Sequence, residues 1–327
     1  MQKSVLITGV TGLIGNYLYQ YLLKHDNYII RGQYVSNRNI DTFVKNNVEM
    51  FKADICKPEQ IFGICEYCDI VVHSAAKVID YGTKKEFYEA HYDATSYLLQ
   101  DALKHEVKHF IYISSFGVAS GLPRTPTLPN EDTPLVKTGI PYDDAKIDTE
   151  TLVIEFCTTH KMDYTIVRPS AVIGTNSVWV NEPIQRMSTA MGLKLIDNGK
   201  NDACLIDAEN LAHGIYLCMK NPKAKNQTFF FCDDWHITWK QYFTDLAAMA
   251  GKKLKGSIPY NLAYFFAILA EFIFPKFNKK PPLAKKSVQA TGSDRRVDTS
   301  KARKLLGWNP SVDYSLSMQR IKASLQG

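Results

Sequence analysis

Tyr142-Asp143-Asp144-Ala145-Lys146 sets a phenol and an amine four residues apart. On a helix that spacing puts both on one face, one turn apart. An ammonium beside a phenol favours the phenolate and is expected to draw the tyrosine pKa toward working pH. Such a tyrosine can give or take a proton at a carbonyl or an alcohol. Upstream, Phe110-Ile111-Tyr112-Ile113-Ser114-Ser115 is an apolar run ending in two hydroxyls. Near the start of the chain, Thr8-Gly9-Val10-Thr11-Gly12-Leu13-Ile14-Gly15 carries three glycines at a spacing of three. Each pattern alone has an ordinary reading: a chance spacing, a strand-ending turn, a plain glycine turn. Their joint occurrence in this order is far more specific.

The elements that must position these residues follow from hydrophobic periodicity. Strands are expected over 4–8, 28–35, 48–52, 70–73, 109–114 and 164–168, with helices such as 13–24 and 86–105 between them. That alternation argues for an α/β fold, a doubly wound parallel sheet with helices on both faces. From about residue 175 the apolar runs become irregular. A late strand over 228–232 is expected to rejoin the sheet, and the remainder reads as a smaller, mostly helical C-terminal lobe.

In such a sheet the glycine trio has a defined use. The first glycine permits the tight turn, the second lets backbone approach a pyrophosphate, and the third lets helix and strand pack closely. Gly9, Thr11, Gly12, Leu13, Ile14 and Gly15 then offer free N–H groups at a helix N-terminus to phosphates. NAD-preferring folds place an acid near the end of the second strand. No Asp or Glu lies between Asp26 and Asp41, where Arg31, Ser36, Asn37 and Arg38 stand instead. The expectation is NADP(H), held at its 2′-phosphate by Ser36, Arg38 and Arg31, with NAD(H) as the alternative. The other reading makes these arginines solvated surface charges.

The chain has 327 residues, 45% apolar and 22% charged, with a formal charge of +6. This is ordinary globular usage and excludes collagen-like or disordered classes. The charge excess is mild, so nucleic acid is not an expected partner. Seven cysteines fit a disulfide framework poorly. With no signal peptide expected, a reducing, cytoplasmic compartment is the simpler reading. Cys65 and Cys68 form a lone CxxC, read as a helix end rather than a metal or redox pair.

Taken together, the motifs resemble the extended branch of the short-chain dehydrogenase/reductase superfamily, the epimerase/dehydratase group. Ala53-Asp54-Ile55 is similar to its adenine-contacting segment, which implies Asp54 and Ile55 as cofactor contacts. His73-Ser74-Ala75-Ala76 resembles the segment under the cofactor. Arg168-Pro169-Ser170-Ala171-Val172-Ile173-Gly174 resembles the strand end beside the nicotinamide, which implies Pro169, Ala171 and Val172. Asp207-Ala208-Glu209 and the 300–310 stretch, in which Ser300 reads as a helix cap, also match. Within the branch, 73–82 and 258–275 look most like the 3β-hydroxysteroid dehydrogenase group. One departure is His91, where the family has Asn. It reads as an altered, near-neutral titrating contact or as a bland surface or packed histidine.

The resemblance implies a Rossmann domain over 1–174 plus 203–234 and a substrate lobe over 175–202 plus 235–327. It implies hydride transfer at a secondary alcohol or ketone, with Tyr142 as general acid/base and Ser115, or alternatively Ser114, on the substrate oxygen. Lys146 would bind the nicotinamide ribose and lower the Tyr142 pKa. Lys77, Tyr81, Ser115 and Arg295 are candidate substrate contacts.

The 258–274 segment is apolar but short, with Asn261, Glu271 and Pro259 inside it, and lysines follow. It reads first as a helix covering an apolar substrate pocket, and second as peripheral membrane contact through 258–286. Two rival functions remain open. A nucleotide-sugar epimerase or dehydratase with tightly bound NAD would need Arg186, Arg295 and Arg296 for the diphosphate. A non-catalytic cofactor sensor would need only the glycine turn. Trp235, His236, Trp239 and Tyr242 read as lobe core or interface. The sequence fixes no oligomeric state; a homodimer is compatible with it.

Overall fold

The computed structural model describes residues 2–36, 40–122 and 127–326. Its strands are β1 (Ser4–Thr8), β2 (Ile29–Tyr34), β3 (Glu49–Lys52), β4 (Ile70–His73), β5 (His109–Ile113), β6 (Asp163–Pro169), β7 (Ala171–Ile173), β8 (Leu195–Ile196), β9 (Leu205–Asp207), β10 (Gln227–Phe231) and β11 (Ser257–Ile258). Seven of them form one parallel sheet in the order β3-β2-β1-β4-β5-β6-β10. β1, β4 and β5 are buried along their whole length. Helices cover both faces of the sheet, which is why these strands read as unbroken apolar runs. One face packs Val5, Ile7 and Leu18 against Leu211 and Ile215, and the other packs Leu6, Val71 and Phe110 against Leu98 and Val153. Strand order reverses between β1 and β4, which opens a crevice at the C-terminal ends of the strands.

The expected 86–105 helix is three pieces. A capping box between Thr83 and Glu86 starts the helix Lys84–Tyr88, a π-turn spans Glu89–Asp93, and the helix Ala94–Lys104 follows. Single π-turns are frequent at functional sites. At the other end of the chain, the helix Ser300–Leu306 packs back on the sheet core. Trp308 meets Phe231 edge to face at 5.1 Å and donates its indole N–H to Asn210 O at 3.1 Å. Ser300 is the first helical residue rather than the cap. Its own N–H is taken by Asp298 Oδ1 at 2.8 Å, and Gly307, at φ +70°, ends the helix.

The second lobe has its own core around Trp239, Tyr242, Phe243 and Leu246, while His236 is exposed. The helix Tyr260–Ile273 turns Ala263 and Ala267 toward Val288 of the helix Lys285–Gly292. The first reading of this segment therefore needs correcting. Its apolar face does not cover the substrate pocket: Phe265, Phe266 and Phe272 are exposed on the outside. Small alanines permit close helix packing, so the bulky residues are left to point away. Among the described residues, no helix is long and apolar enough to cross a membrane.

Candidate active site

The glycine turn after β1 is built as its spacing requires. Gly9 has φ +64°, and a Cβ there would lie 2.9 Å from Ala75 Cα. A Cβ at Gly15 would collide with Gly9 O and lie 2.8 Å from Val10 Cα. Gly12 caps the helix Leu13–His25 without any side-chain bond, so the first helical N–H groups face the crevice. Gln33 supports the turn from β2: its Oε1 accepts from Gly9 N at 2.9 Å, and its amide donates to Ala53 O.

Most of the expected cofactor residues share one cleft of about 570 Å³. They are Gly9, Thr11, Gly12, Leu13, Ile14, Gly15, Ser36, Asp54, Ile55, Ser74, Ala75, Ala76, Ser114, Tyr142, Lys146, Pro169 and Val172. Ala171 instead faces a neighbouring cavity of about 160 Å³. Arg38 lies outside the described residues. Arg31 is a correction. It sits in the middle of β2, 5% exposed, with its Nε 2.9 Å from Glu49 and its guanidinium over the Phe51 ring. Lys77 reaches the cleft rim and pairs with Glu86 at 2.8 Å. Tyr81 lines neither cavity and belongs to a small recess behind Tyr142. Arg295 lines the second cavity, where Nη2 donates to Ser120 Oγ at 3.1 Å and its buried Nε has no partner.

Tyr142 and Lys146 both project from the helix Pro141–His160 and both are buried. Lys146 Nζ donates to Ile113 O at 2.8 Å and lies 4.6 Å from the Tyr112 ring centroid. Burial pushes its amine down to about 7, with Glu150 pulling the other way. Glu150 is itself locked to Arg168 of β6 at 2.7 Å, which ties the helix of Tyr142 and Lys146 to the sheet. Burial, with the Asp143 carboxylate, pushes Tyr142 up to about 12, while a hydrogen bond to Ser115 and the Arg295 charge oppose it. The Lys146 amine faces a carbonyl and its own charge is disfavoured. At neutral pH Tyr142 keeps its proton and can donate it.

Ser115 lines both cavities, whereas Ser114 faces only the cofactor cleft, with a buried hydroxyl that has no partner. His73 bridges the ends of β1 and β4, with Nδ1 2.8 Å from Thr8 Oγ1 and Nε2 3.0 Å from Thr95 Oγ1. His91 is packed. Its ring stands at 90° to Tyr142 at 5.3 Å, its Nε2 has no partner, and burial pushes its pKa well below the ordinary value. It does not titrate near neutrality. Cys65 and Cys68 are buried, and burial raises both thiols, Cys68 to about 11.

Residues 5–230 match the model of the NAD dependent epimerase/dehydratase family. The chain belongs to this family. As an epimerase/dehydratase-family member it is an NAD(P)-dependent oxidoreductase or a related enzyme, and its relatives include enzymes of the 3β-hydroxysteroid dehydrogenase type. It is 24% identical to a sterol-4-alpha-carboxylate 3-dehydrogenase, decarboxylating, of Dictyostelium discoideum, covering 98% of this chain and 100% of that one. It is 26% identical to a UDP-glucose 4-epimerase of Vibrio cholerae, covering 95% and 92%. Among solved structures, UDP-glucuronic acid 4-epimerase from Bacillus cereus with UDP-glucuronic acid and NAD superposes with a TM-score of 0.77 at 18% identity, covering 99% of each chain. The residues present fit the family's dinucleotide. The glycine cradle leaves no room for a Cβ, the helix N-terminus is uncapped, and the Ser114 hydroxyl is free. Several residues at this site had no sequence signal of their own: Gln33, Glu150, and Lys286, whose Nζ lies 3.6 Å from the Tyr142 ring centroid.

Proposed function

We propose that the protein is an NADP(H)-preferring oxidoreductase acting on a secondary alcohol or ketone of apolar character. One observation carries the reading: Ser115 and Tyr142 stand where the cofactor cleft meets the second cavity. The walls of that cavity include Phe116, Trp179, Leu195, Trp239 and Phe243, which favours an apolar ligand. When bound, the nicotinamide supplies or accepts the hydride. Tyr142 gives its proton to the substrate oxygen in reduction and takes it back in oxidation. Ser115 Oγ holds that oxygen and stabilises its developing charge. Lys146 holds the ribose hydroxyls. The 1–174 plus 203–234 part carries the cofactor, and the lobe shapes the substrate cavity.

The NADP(H) preference is supported by the C-terminal end of β2. There Gln33, Tyr34, Val35 and Ser36 present no carboxylate for a 2′-hydroxyl. Two of the cations that a sugar nucleotide would need already hold carboxylates, Arg186 on the wall of the cavity itself. Arg186 pairs with Asp80 at 3.2 Å, and Arg296 with Asp294 at 2.7 Å. The convergence of Ser115, Tyr142 and Lys146 weighs against a non-catalytic sensor.

The exposed face of the Tyr260–Ile273 helix further supports docking to an anionic membrane surface. Leu262, Phe265, Phe266, Leu269 and Phe272 are exposed together, and exposed Lys276, Lys279 and Lys280 lie directly beyond them. Lys276 Nζ is 3.7 Å from the Phe272 ring centroid, so the charge and the apolar surface are contiguous.

Titration with NADPH and NADH, followed by a ketone panel from steroids to long-chain β-keto acids, tests the catalytic reading. Tighter NADPH binding with consumption on one ketone class is expected. Cofactor that co-purifies, resists exchange and is not consumed would transfer the assignment to a sugar-nucleotide epimerase or dehydratase.

A further inference from the structure

Val78, Ile79 and Asp80 lie on the loop between β4 and the helix Lys84–Tyr88, along the wall of the second cavity. Asp80 is a half-buried carboxylate that two helices of the second lobe reach at once. Arg186 Nη2, from the helix Val178–Met187, donates to Asp80 Oδ2 at 3.2 Å. Ser287 Oγ, from the helix Lys285–Gly292, donates to the same oxygen. Beside it Lys286 Nζ donates to Ile79 O at 3.0 Å. Both helices move with the lobe by their packing: Val180 and Met187 sit in the Trp239 core, and Val288 sits against Ala263 and Ala267. One carboxylate on the loop after β4 therefore gathers two separate elements of the lobe.

The space they enclose is small for the ligand that its walls favour. The second cavity holds about 160 Å³. Sites for ligands of drug size measure about 300–1,000 Å³. A steroid-like or long-chain ketone is admitted only if a wall moves outward. The wall of Ser115, Pro169 and Ser170 lies at the ends of β5 and β6 and is fixed by the sheet. The facing walls are the two helices bound to Asp80, through Trp179 and Pro183 of the first and Ser287, Val288 and Thr291 of the second. The restraint on them is weak enough to release. The Asp80 and Arg186 side chains are 23% and 29% exposed, so water screens their attraction.

We propose that Asp80 is a specificity-determining residue: its bridge to Arg186 and Ser287 holds the second lobe against the loop after β4, and a bulky ketone is admitted only when that bridge opens. The proposal rests on the reading of this cavity as the ketone site. The apparent affinity of a ligand that needs the open form is its intrinsic affinity reduced by the open fraction. A small ketone fits the closed cavity and does not draw on that equilibrium. Removing the bridge therefore favours bulky ketones selectively, whereas plain damage to packing would weaken every ketone alike.

The test compares Asp80→Ala, Ser287→Ala and Asp80→Glu with the wild type, all as full-length protein. The readouts are KM for cyclohexanone, a steroid ketone and a long-chain β-keto acid, NADPH affinity, and acrylamide quenching of tryptophan fluorescence. Trp179 and Trp239 line the cavity and report its opening. Asp80→Ala is expected to lower KM for the bulky ketones about 5-fold, the size of one partly exposed ion pair, and to leave cyclohexanone unmoved. Its tryptophan quenching should rise. Ser287→Ala, which removes one arm of the bridge, should shift both readouts the same way by less. Asp80→Glu, which keeps the carboxylate, should stay near wild type. NADPH affinity should be retained, which also shows that the fold is intact. A KM that rises for every ketone in Asp80→Ala would overturn the proposal, as would unchanged quenching. Quenching needs no turnover. A protein that consumed no ketone would therefore fail the reductase reading separately.

Discussion

Replacing Phe265 and Phe272 together by Glu tests the outward face of the Tyr260–Ile273 helix. The two rings are 54% and 64% exposed. With a phenylalanine surface on the order of 200 Å², together they present about 240 Å² of apolar area to solvent. At about 25 cal/mol per Å², full removal from water contributes about 6 kcal/mol. Partial immersion at a lipid interface realises about half of that, near 3 kcal/mol, or roughly a 100-fold change in vesicle affinity. The new carboxylates also face the same anionic lipids that Lys276, Lys279 and Lys280 attract. Cosedimentation with vesicles containing phosphatidylserine is the assay, with phosphatidylcholine vesicles as the neutral control. Wild type should pellet with the anionic vesicles in a salt-sensitive way, and the double variant should stay in the supernatant with its secondary structure unchanged. Wild-type protein that ignores anionic vesicles at low salt, or a double variant that binds equally well, refutes the reasoning.

Other consequences follow from the interior. Gly15→Ala forces a Cβ into Gly9 O and Val10 Cα. It should weaken NADPH binding by about 5-fold or more, as overpacking of this kind costs about 1–3 kcal/mol; an unchanged dissociation constant by fluorescence would count against the cradle. Glu150→Ala leaves Arg168 buried without its carboxylate, which costs about 3–5 kcal/mol and should lower Tm by roughly 5 °C. A calorimetric shift under about 2 °C would show that the pair does not hold the Pro141–His160 helix. His73 and His109 are pushed down by burial to about 3 and about 4, and His91 well below its ordinary value. The folded state binds fewer protons than the unfolded one below the unfolded value near 6.5. Stability is therefore intact above that pH and falls as pH drops toward the folded values, by about 1.4 kcal/mol per pH unit for each histidine. Thermal melts from pH 7 to pH 4 should show this decline, and a flat profile would contradict the burial of neutral imidazoles.

The legible parts of the molecule were those where one residue type is physically demanded. Only glycine fits a φ of +64° pressed against Ala75, so the phosphate turn announces itself. Strands covered on both faces must be apolar throughout, so β1, β4 and β5 stood out, and the hydroxyls at the end of β5 came with them. Arg31 misled for a reason of depth. It shares the face of Gln33 but lies two residues earlier, about 7 Å further from the strand end where ligands sit. The π-turn at Glu89–Asp93 kept the hydrophobic spacing of a single helix, so its extra residue was silent. The Tyr260–Ile273 helix misled because its inward residues are small alanines, and apolar content alone does not say which face is buried. Lys286 could not be read at all, since its place beside the Tyr142 ring depends on a tertiary approach between distant segments.

The central claim is that Tyr142 carries the proton for hydride transfer. The direct measurement is single-turnover oxidation of bound NADPH by the ketone that wild type consumes fastest, with wild type and Tyr142→Phe side by side. The account predicts a rate loss of about 100- to 10,000-fold with NADPH affinity unchanged. Turnover by Tyr142→Phe at the wild-type rate would contradict it.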